Sequence, residues 1–368
     1  GRLGVGFKSV LELSSRPFIL SRSVSLSFSH LRARALLEAE LGGTHPDVPV
    51  MRFAEPVDPR YVATELPAVG PFLEWATTVV VLPLDKDKEW VDDLLDPTSF
   101  PKEFLAFSPH VASVTFNNHR TGSNRSITLS NDGPILIVEE SDDTESAWRL
   151  KTRRVTLSEA ARHDGGTRFQ RDEVEIAWAI PADDGRDRAV WAFFPVPSVS
   201  TPLPGILNTA WKLSEDRSNV VQGPFNEYLI DQAAQLVVDC VRSEVPETNL
   251  GRALEMLPPT PPQASASTSR RAEGTGWFHD RLQRSVWELA RSAALVPAID
   301  GSWHRGVGMN LWPTWINKAG MGPIADLWSK HVDLPSRWVH RTVMTDVRHP
   351  RAAWLGALNP GVHTWIQA

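Results

Sequence analysis

Residues 1–13, GRLGVGFKSVLEL, place three glycines directly before a segment that is predicted to begin a helix. Because glycine adopts backbone conformations that are closed to other residues, the main chain of such a loop can approach a ligand closely. The free N–H groups and the positive dipole end of the following helix both favour an anion. The spacing therefore predicts a phosphate-binding loop, with an ordinary glycine-rich turn as the alternative. It is not a P-loop, because Phe7 separates Gly6 from Lys8-Ser9.

The identities of these residues resemble the lid motif of the GHKL ATPase superfamily, which includes the ninety-kilodalton heat-shock chaperones, type II topoisomerases and histidine kinases. The core Gly4-Val5-Gly6-Phe7 followed by Ser9 is most similar to the heat-shock chaperone and sacsin branch, and residues 7–10 resemble sacsin. The resemblance implies that backbone amides of this loop bind the β- and γ-phosphates of ATP. It assigns those contacts to Gly1, Leu3, Gly4, Val5, Gly6 and Phe7.

Two later segments are similar to the same family and follow in the same order. Residues 77–84, TTVVVLPL, match a strand whose threonine helps to hold adenine, which implies that role for Thr78, although Thr77 stands where the family has glycine. Residues 193–217 match a proline-marked strand that leads to a Leu-x-Ser/Thr-x-Asp-Arg turn. The resemblance implies a catalytic role for Arg217 at the γ-phosphate, where a cation would offset charge on the transferred phosphoryl group. A surface or helix-capping arginine is the alternative.

The superfamily's remaining motifs precede the lid: a helix with the catalytic glutamate and the Mg²⁺-binding asparagine, and an Asp-x-Gly-x-Gly turn that recognises adenine. Glu12 follows the glycines, so its position in the order excludes it as the helix glutamate. We therefore expect this sequence to be an internal piece of a longer protein. ATP and Mg²⁺ are expected as cofactors of that longer protein only, no metal ligand is assigned here, and whether the protein is an enzyme is left open.

Composition limits the possible partners. The formal net charge is −6, so no general basic field would attract nucleic acid. The single cysteine, Cys240, excludes an intramolecular disulfide and a zinc site built on cysteines. No stretch approaches the roughly 18 apolar residues that would span a bilayer. We expect a cytoplasmic protein that binds ATP and an unidentified protein partner, with no membrane partner and with nucleic acid disfavoured.

Hydrophobic periodicity predicts the individual elements. Near the N-terminus we expect a strand at 23–28, a helix at 30–41, a long proline-rich loop at 44–71 and a buried strand at 77–84. Farther along we expect a short helix at 101–107, strands at 111–116, 126–129, 135–139, 174–180 and 189–196, and a helix at 224–242. The basic run Arg149, Lys151, Arg153 and Arg154 is predicted to lie on a solvated hairpin, with a nucleic-acid patch as the alternative.

These elements predict an α+β protein with three domains. By resemblance, residues 1–107 would be the C-terminal part of a GHKL α/β sandwich and residues 108–250 an α+β middle-type domain. Residues 251–276 have the composition of a linker. Nine of the 15 tryptophans follow residue 276, so residues 277–368 are predicted to form a separate, mostly helical and incomplete domain, with these indoles mainly in its core.

Two functions are compatible with the sequence. The resemblance implies an ATP-driven conformational, chaperone-like protein in which ATP closes the lid at residues 1–7. The alternative is a scaffold for protein interaction that has lost nucleotide chemistry and uses its tryptophan-rich region as the contact surface.

Overall fold

The computed structural model describes residues 10–44, 48–84, 96–142, 144–166, 172–182, 188–261, 276–313, 330–331 and 335–360. The chain divides into two compact units, Gly1–Asp96 and Pro97–Ala368. Both units combine helices with sheets, so the protein is of mixed α+β class. No helix within the described ranges is long and apolar enough to cross a membrane.

The first unit contains a four-stranded antiparallel sheet. Its strands are β1 Phe18–Ser21, β2 Leu26–Phe28, β3 Ala54–Pro56 and β4 Thr78–Val81, in the order β3-β2-β1-β4. Its helices are α1 His30–Leu41, α2 Pro59–Glu65 and α3 Gly70–Trp75. One face of the sheet packs Phe18 and Leu20 against Val62 of α2, and the other packs Phe28 with Ala33 of α1. Helices therefore contribute to the core on both faces.

Helix α1 confirms the prediction for residues 30–41. The Ser29 hydroxyl accepts a hydrogen bond from the Arg32 N–H, which satisfies one of the free donors of the first turn. Gly42 ends the helix with φ +68°, a conformation that residues with a Cβ disfavour. Its N–H donates to the Glu38 carbonyl. Local sequence signals define both ends of this helix.

Two predictions for the first unit are wrong. Residues 44–71 are not a loop, because β3 and α2 lie within them. Pro59 is at the start of α2, where the missing N–H is not needed, and the Asp58 carboxylate accepts from the Arg60 N–H. The strand predicted at 77–84 is present as β4, but it is an edge strand rather than a buried one, and Val80 is 53 % exposed.

The second unit is built on an eight-stranded sheet. Its strands are β5 Ser113–Asn118, β6 Ser123–Asp132, β7 Ile135–Glu140, β8 Glu145–Thr156, β9 Glu173–Pro181, β10 Arg188–Ala192, β11 Phe194–Pro195 and β12 Gly205–Thr209. Their order is β11-β10-β12-β9-β8-β7-β6-β5. Neighbouring strands are antiparallel except β10 and β12, which are parallel. The predicted strands at 111–116, 126–129, 135–139 and 174–180 are therefore confirmed. The strand predicted at 189–196 is wrong as a single strand, because the chain reverses at Phe193, where φ is +68°, and β11 pairs antiparallel with β10.

Helices cover one face of this sheet. They include α4 Glu159–Gly165, α5 Pro224–Cys240 and α6 Gly276–Ser292, followed by the short strands β13 Val296–Pro297 and β14 Trp303–His304 and by α7 Arg348–Trp354. One continuous core joins Trp178 of the sheet, Phe225 of α5 and Trp287 of α6. The opposite face packs Ile127 and Trp148 with the 3-10 helix Lys102–Phe107.

The longest strand, β8, was not predicted. Its residues Arg149 and Lys151 pair in register with Ile180 and Trp178 of β9, so the basic run follows a strand that forms a hairpin with β7. Lys151 reaches the buried carboxylate of Glu244 at 2.5 Å. Lys151 and Arg153 face the helices, where their partners are Glu244 and Asp239. Because charged residues occupy these inward positions, alternation of apolar residues does not indicate this strand.

Most tryptophans in the described part of the chain are core residues, and those after residue 276 agree with the prediction made for them. Seven of them are buried: Trp148, Trp178, Trp191, Trp211, Trp287, Trp312 and Trp338. Trp312 and Trp338 pack with ring centroids 4.9 Å apart, and the Trp211 ring meets that of Phe278 edge-on at 5.1 Å. These buried tryptophans add apolar area to the interior, whereas Trp75 of α3 is 70 % exposed.

Candidate functional site

The proposed phosphate loop, Gly1, Leu3, Gly4, Val5, Gly6 and Phe7, lies outside the described residues. The segment directly after it is helical at residues 10–13, and the Ser14 N–H donates to the Val10 carbonyl at 3.0 Å. The remaining predicted site residues, Thr78 and Arg217, are both described, the first in the N-terminal unit and the second in the C-terminal unit.

Thr78 is the first residue of the edge strand β4. It pairs with Ser21 of β1, and the alternation of the strand places it on the same face as the exposed Val80. Thr78 is itself exposed, and its hydroxyl makes no hydrogen bond to any residue in the described ranges. The hydroxyl is therefore available to a ligand or to water.

Arg217 lies at the tip of a hairpin, residues 212–221, which we call the Arg217 loop. Leu213 and Val220 form an antiparallel bridge at its stem, and the Ser214 N–H donates to the Asn219 carbonyl at 2.9 Å. Arg217 has φ +59°, one of two described non-glycine residues with positive φ, and its N–H donates to the Ser214 carbonyl at 3.0 Å. Its backbone is thus held in the sparsely populated left-handed region.

Asp216, beside the arginine, is engaged within the loop. Its carboxylate accepts hydrogen bonds from the hydroxyls of Ser214 at 2.5 Å and Ser218 at 2.7 Å, and from the Ser218 N–H. These bonds lower the pKa of Asp216 to about 2, so the carboxylate is ionised at neutral pH. The Arg217 guanidinium is exposed and forms no hydrogen bond or ion pair with any described residue.

A buried amide fixes the base of the Arg217 loop to helix α5. Asn226 is fully buried, and its Nδ2 donates to the carbonyls of Lys212 at 2.8 Å and Val221 at 2.6 Å. Its Oδ1 accepts from the Lys212 N–H at 2.9 Å. One side chain therefore binds both ends of the loop, which sets their separation and leaves the buried amide satisfied.

A second brace connects the loop to helix α4. The Lys212 ammonium donates to the Asp164 carboxylate and to the Asp164 carbonyl, each at 2.8 Å. The other carboxylate oxygen accepts from the Phe225 N–H in the first turn of α5, where the helix dipole favours a negative charge. The hydrogen bond from Lys212 is the main reason that the pKa of Asp164 lies below its usual value.

The Arg217 loop presents a cation that suits an oxyanion. A guanidinium held on a rigid turn presents several N–H donors suited to phosphate oxygens. Within the described residues, no group of three His, Cys, Asp or Glu side chains is placed to hold a metal ion. Burial raises the pKa of the Cys240 thiol, which opposes its use as a nucleophile.

Comparison of the chain with protein-family models, with curated proteins and with solved structures finds no significant match.

Proposed function

We propose that this chain belongs to an ATP-binding conformational protein of the sacsin-like GHKL class, in which Arg217 contacts the γ-phosphate of ATP. In this proposal residues 1–107 belong to the ATP-binding α/β sandwich and residues 108–250 to a middle-type domain. Residues 277–368 form the tryptophan-rich, mostly helical region. The proposal extends the motif resemblance at residues 1–10, 77–84 and 193–217.

The observation that best supports the proposal is the Arg217 loop itself. Its exposed guanidinium lacks a partner among the described residues, while Asn226 and Lys212 anchor the loop at its base. A left-handed non-glycine residue costs about 1 kcal/mol or more and persists only when its surroundings enforce it. A loop that is already ordered loses little further entropy when an anion binds, so this geometry suits recognition of a phosphate.

Each proposed contact has a separate task. The backbone amides of residues 1–7 would hold the β- and γ-phosphates, and the Thr78 hydroxyl would lie on the adenine side. Arg217 would approach the γ-phosphate and offset the charge that develops during phosphoryl transfer. ATP with Mg²⁺, when bound, supplies the phosphoanhydride that is cleaved. Loss of the γ-phosphate would remove the anion that holds Arg217, so the closed state would relax.

The alternative, a scaffold that binds partners through its tryptophans, has less support. The tryptophans described after residue 276 are buried or half-buried, and Trp287 and Trp312 make hydrogen bonds to backbone carbonyls inside the fold. They are therefore occupied as core residues.

The test is ATP turnover by Arg217→Ala in the longest form of the protein that contains these residues. Removal of an arginine at the γ-phosphate should lower kcat about 100-fold or more, whereas KM for ATP should change by less than about threefold. Arg120→Ala, on the exposed β5–β6 turn, is the matched control and should keep the wild-type rate.

Two results would contradict the proposal. Arg217→Ala with wild-type kcat would remove the arginine from the mechanism. A wild-type protein that neither binds nor hydrolyses ATP would exclude nucleotide chemistry altogether and leave the scaffold as the working hypothesis.

A further inference from the structure

A cavity of about 660 Å³ lies in the second unit, and none of its lining residues belongs to the Arg217 loop. Five arginines line it: Arg149, Arg188, Arg252, Arg348 and Arg351. The only acidic side chains among its described lining residues are Glu244 and Glu255. We call it the arginine cavity, and its charge is markedly positive although the whole chain is acidic.

Sheet topology and two helical segments bring these arginines together. Arg149 of β8 pairs in register with Ile180 near the end of β9, and Arg188 begins β10 opposite Gly205, which begins β12. These four positions lie at one end of the adjacent strands β10-β12-β9-β8. Arg252 comes from the 3-10 segment Glu247–Met256, and the other two arginines lie three residues apart on α7.

Both glutamates of the cavity already have a cation. The Glu255 carboxylate accepts from Arg348 Nε at 2.6 Å, and the same guanidinium donates to Asn249 Oδ1 and to the Thr342 carbonyl, each at 2.7 Å. Glu244 pairs with Lys151, which does not line the cavity. Arg348 therefore braces the wall, and neither carboxylate forms an ion pair with Arg149 or Arg188.

Two of the remaining arginines have no partner within the described structure. The guanidinium groups of Arg149 and Arg188 form no hydrogen bond or ion pair with a described residue. Arg351 is only 5 % exposed and donates to the Leu254 carbonyl at 2.7 Å. Burial lowers the pKa of Arg351 to about 10, while the nearby Glu255 raises it and the nearby Arg188 lowers it further. Like charges held this close oppose folding unless an anion joins them.

We propose that the arginine cavity binds a compact anion that has two or more phosphate groups. Guanidinium pairs with phosphate through two parallel hydrogen bonds, and several guanidinium groups around one space match an anion with several such groups. The volume is in the range of small-molecule sites, and Ile180, Met256 and Val347 offer apolar contact to a carbon framework. Because the charges line a cavity rather than an exposed face, the geometry favours a small anion over nucleic acid.

The test is calorimetric titration of the 368-residue chain with inorganic tripolyphosphate. We expect micromolar binding that weakens as salt is raised, because the contacts are ionic. Arg149→Ala and Arg188→Ala should each weaken binding at least tenfold, and the double variant should abolish it. Arg154→Ala is the matched control, since this 70 % exposed β8 side chain does not line the cavity and should leave the affinity unchanged.

Further titrations distinguish possible sources of the phosphate. An inositol polyphosphate that binds more tightly than tripolyphosphate would indicate a cyclic framework, whereas a nucleoside triphosphate that binds more tightly would indicate a nucleotide. Either result supports the proposal if Arg188→Ala removes the binding. Citrate that binds as tightly as tripolyphosphate would overturn the preference for phosphate.

Thermal unfolding provides a second measurement in case a variant is poorly folded. Tripolyphosphate should raise the Tm of the wild-type chain, and Arg188→Ala should lose that rise while its own Tm without ligand stays equal or increases, because a like charge beside Arg351 has been removed. Absence of any tripolyphosphate binding or Tm shift in the wild-type chain would overturn the proposal, and so would affinity that neither Arg149→Ala nor Arg188→Ala changes. This outcome is independent of the result at Arg217.

Discussion

At the scale of single residues, Asn226 determines the geometry of the candidate site although it touches no proposed ligand. Its three hydrogen bonds to Lys212 and Val221 join residues that are up to 14 positions apart. The motif around Arg217 is local and can be recognised in the sequence, whereas this amide cannot, because an asparagine near the start of a helix has many possible partners. Asp164 was missed for the same reason, since its contact with Lys212 spans 48 positions.

Replacement of Asn226 should therefore destabilise the fold. Asn226→Ala removes the amide that pairs the Lys212 N–H and the Val221 carbonyl, whereas the Lys212 carbonyl still accepts from the Val221 N–H, so the free energy of unfolding should fall by about 1–3 kcal/mol. Urea denaturation measures this loss. Gln232→Ala is the control on the same helix, because this half-exposed side chain makes no hydrogen bond to a described residue. A loss at Asn226 no larger than the loss at Gln232 would show that the loop is not anchored in this way.

At the scale of elements, a helix or strand could be predicted from the sequence when the contacts that stabilise it are local. Helix α1 was predicted with both ends because Ser29 and Gly42 define it locally. Strand β8 was missed because Lys151 and Arg153 follow its helix-facing side, where Glu244 and Asp239 pair with them. Alternation of apolar residues indicates a strand when it continues along the segment, but in β8 only Trp148 and Leu150 of one face belong to the apolar core on that side.

The junction between the Arg217 loop and helix α5 gives a prediction at this scale. A Cβ at Gly223 would lie 2.8 Å from Asp164 Oδ2, which is held by Lys212 and by the Phe225 N–H. Gly223→Ala should therefore lower the free energy of unfolding by about 1–3 kcal/mol.

A second glycine provides a control of opposite sign. A Cβ at Gly70 meets no atom within 4 Å, and its φ of −50° suits any residue in α3, so Gly70→Ala should raise stability by about 0.5 kcal/mol. Thermal or urea unfolding of both variants measures the two effects. Equal changes in the free energy of unfolding for the two variants would mean that the Asp164 side chain moves away without cost and does not brace the junction.

At the scale of the whole molecule, contacts between residues far apart in the chain could not be predicted from the sequence. Residues after 276 share a core with α5, and Trp277 donates its indole N–H to the Val220 carbonyl in the stem of the Arg217 loop. The predicted domain boundaries at 107, 250 and 276 remain predictions, as does the ATP-binding role of residues 1–7. The arginine cavity likewise has no local signature, because its side chains come from separate elements.

The central claim is that Arg217 keeps its strained backbone conformation because its guanidinium group is needed at the γ-phosphate. The turnover of ATP by Arg217→Gly tests it most directly, because glycine accepts φ +59° without strain and should make the fold about 1 kcal/mol more stable. The account predicts that kcat nevertheless falls about 100-fold or more in the longest form of the protein, as for Arg217→Ala, so misfolding cannot explain the loss. A variant that is more stable and retains the wild-type kcat would contradict the account.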